Sequence, residues 1–204
     1  MIRVLIADDH EIVRDGLRRI LAATSDIEVA AEAASGDEAL ALVRANDYDV
    51  ALLDMSMPGL SGIELIKRLK IERPKQRILV LSMHGEDQYA ARALKAGASG
   101  YLNKDSASEQ LVGAIRKIAA GGVHIGEAAA ASLVSSEKLP HQKLSDREFE
   151  VLRLLVAGQS PTGIAAQLHL SVKTVSTHKT RILEKLNLKS TADLVRYALE
   201  KKLS

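Results

Sequence analysis

The sequence predicts an α/β chain: a doubly wound, five-stranded parallel sheet in the order 2-1-3-4-5, followed by a small all-α domain of four helices. Three observations lead there. Short apolar runs alternate with longer amphipathic stretches through the first 120 residues, the pattern of parallel strands covered by helices on both faces. The strand signal then stops. Between the two regimes lies "GGVHIGEAAAASLVSSEKLPHQ", residues 121–142, whose paired glycines, proline and polar residues mark a linker.

The five strand candidates are "VLIA" (4–7), "VAAEA" (29–33), "DVALL" (49–53), "RILVLS" (77–82) and "GYL" (100–102). Between them, Val13, Leu17, Ile20 and Leu21 recur at helical spacing, as do Leu111, Ala114, Ile115 and Ile118. The linker's alanine-rich middle predicts one helix of about three turns. In the tail, Ser145 with Glu148 three residues on forms a capping-box pattern, and Ser160-Pro161 reads as an N-cap followed by proline at the first helical position. Ser171 opens "VKTVSTHKTRILEKLNL", and "TADLVRYALEKKL" closes the set. Domains are therefore expected at 1–120, 121–142 (linker, partly helical) and 143–204.

The chain has no cysteine, which excludes disulfides and thiolate metal sites. No apolar run approaches a membrane span, and the N-terminus lacks a signal-peptide layout, so a cytoplasmic protein with no membrane partner is expected. The net charge of +2 conceals a split: residues 141–204 carry 11 basic and 6 acidic side chains, residues 1–140 carry 17 and 20. Different partners for the two parts follow.

Ligands of open parallel sheets bind beyond the carboxyl ends of the strands. Past strand 1 stand Asp8 and Asp9; past strand 3, Asp54; strand 4 ends at Ser82; strand 5 is followed by Lys104. Each alone has an ordinary explanation as a helix cap, turn residue or solvated lysine. Together they describe one site. Asp8, Asp9 and Asp54 make an oxygen-rich pocket suited to Mg²⁺, which offsets the repulsion between adjacent acids. Lys104 suits a phosphoryl group and Ser82 can donate to it. Asp54 then reads as a carboxylate nucleophile that takes phosphorus as an acyl phosphate.

On the stretch 171–189, Val175, Ile182 and Leu186 share one helical face. Lys173, Thr177, Thr180 and Arg181 point away from it, flanked by Thr174 and Ser176. Preceded by "GIAAQLHLS", this is a helix-turn-helix whose front fits a major groove. With His178, Lys179 and Lys185 added, these residues are the expected DNA contacts. Lys179 lies close to the apolar face and would have to snorkel to a phosphate.

"ADDH", "LLDMSMPGLSG", "VLSMH" and "KAGASGYLNKD" resemble the receiver domain of bacterial two-component response regulators, a flavodoxin-like fold. "LSDREFEVLRLLVAGQS" and "IAAQLHLSVKTVSTHKTRILEKLNL" resemble the LuxR-type helix-turn-helix, and the combination resembles the NarL/FixJ type. The resemblance implies Asp54 as phosphoryl acceptor from a histidine kinase. It implies Asp9 as the favoured direct metal ligand, the Ser56 carbonyl in the metal site, Lys104 as the family's lysine, and Ser82 with Tyr101 as a switch pair. It further implies a dimer on double-stranded promoter DNA, admits RNA polymerase as a further partner, and places Leu203 near the end of a fourth helix used in dimer contacts. No enzyme turnover is expected beyond slow loss of the acyl phosphate. Gly163 departs from the pattern where an acidic residue is usual, and Pro161-Thr162 replace a polar-basic pair, so a weakened scaffold helix is expected. A Mg²⁺-dependent phosphohydrolase and a phosphorylation-independent DNA-binding regulator are the alternatives. The first wants a second carboxylate at position 56, which holds Ser56.

Overall fold

The computed structural model describes residues 1–57, 60, 62–82, 87–104, 107–126, 130, 140–201 and 203. The chain divides into two compact units, residues 1–133 and 134–204.

In the first unit the strands are β1 (Ile2–Ala7), β2 (Ile27–Ala33), β3 (Val50–Asp54), β4 (Arg77–Ser82) and β5 (Gly100–Asn103). All pair in parallel, in the order β2-β1-β3-β4-β5. The helices are α1 (Glu11–Ala22), α2 (Gly36–Ala45), α3 (Gly62–Glu72), α4 (Asp87–Lys95) and α5 (Ala107–Ala119). Every residue of β3 is buried, as a strand covered on both faces must be. The edge strand β2 is only half-buried along its middle, which is why its apolar signal is diluted. Val4, Ile6, Leu52, Leu79, Leu81 and Leu102 pack with Leu17 and Leu21 of α1 and Leu111, Ile115 and Ile118 of α5.

The register sets the ligand end of the sheet. Ala7 pairs with Leu53, Asp54 with Leu81, and Ser82 with Asn103. Asp8, Asp54, Ser82 and Lys104 thus leave neighbouring strands at one edge.

The expected linker does not begin as free chain. At Gly121 (φ +91°) the backbone turns back, and His124 forms a parallel bridge with Gly100 on the outer edge of β5. The alanine-rich helix expected further on lies outside the described residues.

The second unit opens with a 3-10 turn (Pro140–Lys143) and continues with α6 (Asp146–Val156), α7 (Pro161–Gln167), α8 (Val172–Leu186) and α9 (Thr191–Glu200). Phe149, the only phenylalanine of the chain, is fully buried in its core. Both capping-box bonds at Ser145 and Glu148 are made. Ser160 accepts from Gly163 N and Ser171 from Thr174 N. Val175, Ile182 and Leu186 are all buried. Leu203 lies near the end of the fourth helix as expected, three residues past Glu200, and is fully buried, its N–H donating to Ala198 O at 2.8 Å. It is a core residue of this unit, and Leu199, 61% exposed, is the apolar side chain that α9 leaves open.

Candidate functional site

Three strand ends deliver the charged groups of the first unit. Lys104, its side chain only 11% exposed, places Nζ 2.6 Å from Asp8 Oδ2 and 2.9 Å from Asp54 Oδ1. Asp8 is buried; its Oδ1 accepts from His10 N at 2.9 Å. Asp54 is also buried, and its second oxygen accepts from Ser56 N at 3.2 Å. The Asp54 carboxylate is therefore held at both oxygens, by an ammonium and by a main-chain N–H. Burial pushes its carboxyl above the ordinary aspartate value; Lys104 opposes that and the Asp8 charge adds to it. Burial alone would lower the Lys104 ammonium, but its bonds to Asp8 and Asp54 outweigh this and hold it above the ordinary lysine value.

The three-carboxylate pocket expected from strand ends resolves into two linked parts. One is the Asp8–Lys104–Asp54 bridge. The other is a cluster of Asp8, Asp9 and His10, whose donor atoms lie within 4.8 Å of one another. His10 was not among the expected site residues; its position directly after the acidic pair was the available signal. Asp9 Oδ1 is buried and accepts no hydrogen bond; His10 Nδ1 lies 2.8 Å away, an ion pair when the imidazole is protonated. A buried carboxylate oxygen without a donor, beside a second carboxylate, fits an oxygen-seeking cation. Of Ser56, the N–H contact to Asp54 is the observed role. Ser82 is 2% exposed and Tyr101 8%, so Tyr101 is buried and is not a surface aromatic.

The second unit carries the other candidate surface. Its helix-turn-helix is α7 and α8, joined through His169 in the left-handed region (φ +51°). On α8, Lys173, Ser176, Thr177, Thr180 and Arg181 are exposed and Thr174 half-buried. The hydroxyls of Thr177 and Thr180 donate to their own helix, at Lys173 O (2.9 Å) and Ser176 O (3.1 Å). Lys179 is half-buried, as its angle on the helix requires.

Two expected contacts are placed differently. Lys185 donates to Glu148 Oε2 at 2.7 Å, and the Glu148 side chain is 4% exposed. The same oxygen accepts Ser145 N at 2.7 Å. Lys185 thus braces α8 against the start of α6, because a buried carboxylate needs a cation more than a solvated lysine needs a phosphate. Burial would raise the Glu148 carboxyl, but Lys185 and Ser145 prevail and hold it below the ordinary glutamate value. His178 is half-buried, with Nδ1 enclosed and without a hydrogen bond. Burial lowers its imidazole pKa, Arg147 and Arg181 reinforce that, and Glu148 opposes it. Sequence reasoning saw Glu148 only as a helix cap; the structure makes it the partner of Lys185 as well.

Residues 4–116 match the response regulator receiver domain family, and residues 142–198 match the bacterial regulatory proteins of the luxR family. The chain is 42% identical to the oxygen regulatory protein NreC of Staphylococcus epidermidis, covering 98% of each chain. It is 38% identical to the response regulator UvrY of Escherichia coli, covering 98% of this chain and 94% of UvrY. RcsB of Salmonella enterica serovar Typhimurium, bound to promoter rprA with the phosphomimetic BeF3⁻, superposes with a TM-score of 0.71 at 30% identity, over 96% of this chain and 97% of that one. A second RcsB structure, two dimers on two parallel DNAs, gives 0.61 at 31% identity, covering 96% of each chain.

Proposed function

The chain belongs to the NarL/FixJ-type two-component response regulators, a receiver joined to a LuxR-type DNA-binding domain, and from that premise we propose that Asp54 is its phosphoryl acceptor and α8 its DNA-reading helix. The observation that carries the reading is Lys104 Nζ held between Asp8 and Asp54 at one sheet edge. An Asp54 oxygen attacks phosphorus as the P–N bond of a kinase phosphohistidine breaks, and an acyl phosphate remains. Lys104 orients the nucleophile beforehand and afterwards faces the new phosphoryl oxygens. Asp8, Asp9 and the Ser56 carbonyl would hold Mg²⁺, with His10 at the rim. When bound, the ion neutralises charge on the acidic pair and the phosphoryl oxygens.

Ser82, at the end of β4, donates to the phosphoryl group and so couples the event to Tyr101. Slow hydrolysis of the acyl phosphate limits its lifetime and turns over no substrate. In the second unit, Lys173 and Arg181 contact phosphates, while Ser176, Thr177 and Thr180 reach base edges. Thr174 and Lys179 flank them. The protein acts as a dimer on promoter DNA in the cytoplasm, where RNA polymerase is the machinery it regulates. The phosphohydrolase alternative is disfavoured by Ser56, which supplies no second carboxylate.

Incubation with acetyl phosphate and Mg²⁺ tests the reading. The wild-type chain should gain the mass of one phosphoryl group and Asp54→Ala should not. Undiminished labelling of Asp54→Ala refutes it.

A further inference from the structure

The Gly121-Gly122 pair folds the chain back onto β5. Gly121 is in the left-handed region at φ +91°, which glycine adopts without penalty. A side chain on Gly122 would come within 3.0 Å of Lys117 O. The returning segment is then held by two main-chain bonds. His124 N donates to Ser99 O at 3.1 Å, and Tyr101 N donates to His124 O at 2.9 Å. Between them sits Gly100, where a Cβ would approach Ile118 Cδ1 to 2.6 Å and His124 O to 2.8 Å. One glycine conformation, at Gly121, two missing side chains, at Gly122 and Gly100, and a pair of main-chain bonds therefore bring residues 122–124 against β5. The other edge of β5 is already paired with β4.

The residue whose N–H the strap holds is Tyr101, the aromatic member of the switch pair. We propose that residues 122–124 are a positioning strap for Tyr101, which ties the state of the switch to the chain leading into the DNA-binding unit. The proposal rests on the reading of Ser82 and Tyr101 as that pair. In this structure a buried Tyr101 and a docked strap occur together. A phosphoryl group on Asp54 that draws Ser82 inward favours the buried ring and with it the docked strap. By reciprocity, the docked strap favours the buried ring. Undocking frees residues 121–124, which adds up to about 14 Å of reach to the connection between the units.

The test uses the full chain. On addition of acetyl phosphate and Mg²⁺, hydrogen exchange at the Tyr101 and His124 amides should slow by about tenfold, the scale of one to two net main-chain hydrogen bonds. His124→Pro removes the donor to Ser99 O. It should still accept label at Asp54 within about twofold of wild type, a side-chain-remote site. It should lose the phosphorylation-dependent gain in affinity for a duplex selected from random DNA with the wild-type chain. His124→Ala keeps both main-chain bonds and should keep that gain. Unchanged or faster exchange overturns the proposal, as does a His124→Pro variant with the full gain. Absence of label on wild-type Asp54 would instead bring down the receiver reading, and the strap with it.

Discussion

Replacing Lys185 with methionine separates bracing from DNA contact, two roles that a charge count cannot distinguish. The side chain donates to Glu148 Oε2 at 2.7 Å, and Glu148 is buried while Lys185 is 40% exposed. A hydrogen bond to a charged group contributes about 1.5–3 kcal/mol when well shielded. The exposed ammonium end is screened by water, which trims the expected loss to about 1–2 kcal/mol. For a unit of this size that lowers the melting temperature of the C-terminal transition by about 5–10 °C, readable by calorimetry on the full chain. Methionine keeps most of the aliphatic packing, so lost burial contributes little. The dependence of DNA affinity on salt should keep its slope, because no phosphate contact disappears. Lys173→Ala should behave the opposite way: stability within about 0.5 kcal/mol of wild type and a log–log salt slope shallower by about 0.9. A Lys185→Met protein that melts like wild type and loses one unit of salt slope would refute the assignment.

Three further outcomes follow from the same geometry. Carbon NMR of the Asp54 carboxyl in chelator-treated protein should give a titration midpoint above 3.8, and Lys104→Met should raise it further, since the lysine opposes the burial effect; a midpoint at or below 3.8 counts against the buried site. The depressed Glu148 carboxyl contributes stability that is fully present above its ordinary value of 4.5 and is lost as the pH falls through the lower folded value. Glu148→Gln should flatten that acid limb in the C-terminal melting transition, and an unchanged limb would remove Glu148 as its cause. Gly163 is exposed at the third position of α7, its N–H already on Ser160 Oγ, and a Cβ there meets only that oxygen at 3.4 Å. Gly163→Glu should complete a second capping box and stabilise the unit by about 1 kcal/mol; a lower melting temperature would show that the glycine is needed.

Much of this is legible in the sequence. Buried parallel strands are written as apolar runs that stop at a polar residue, so Asp54, Ser82 and Lys104 could be put at strand ends by inspection. The capping box of α6 and the buried face of α8 follow from spacing alone, because each depends on residues at one helix. What escaped depends on partners distant in sequence. A helical wheel gives the direction of Lys185 but not that Glu148, on another helix, waits there. His124 bridges Gly100 through main-chain atoms, which leave no trace in side-chain pattern, and "GGVH" therefore reads as linker. Leu203 is buried beyond the last helical residue, where helical periodicity no longer applies. His10 follows the acidic pair directly, but its nearness to them is a matter of side-chain placement that spacing does not fix.

The hydroxyls of Thr177 and Thr180 carry their protons to carbonyls of α8 itself. Each hydroxyl therefore has its proton engaged within the helix, and acceptor capacity is what its oxygen has left to offer. Where these threonines meet base edges, as proposed, such oxygens would accept from the amino groups of cytosine N4 and adenine N6, and keto oxygens would find no proton offered by them. On the proposed reading, base preference at these two positions is biased by an internal bond of the free helix.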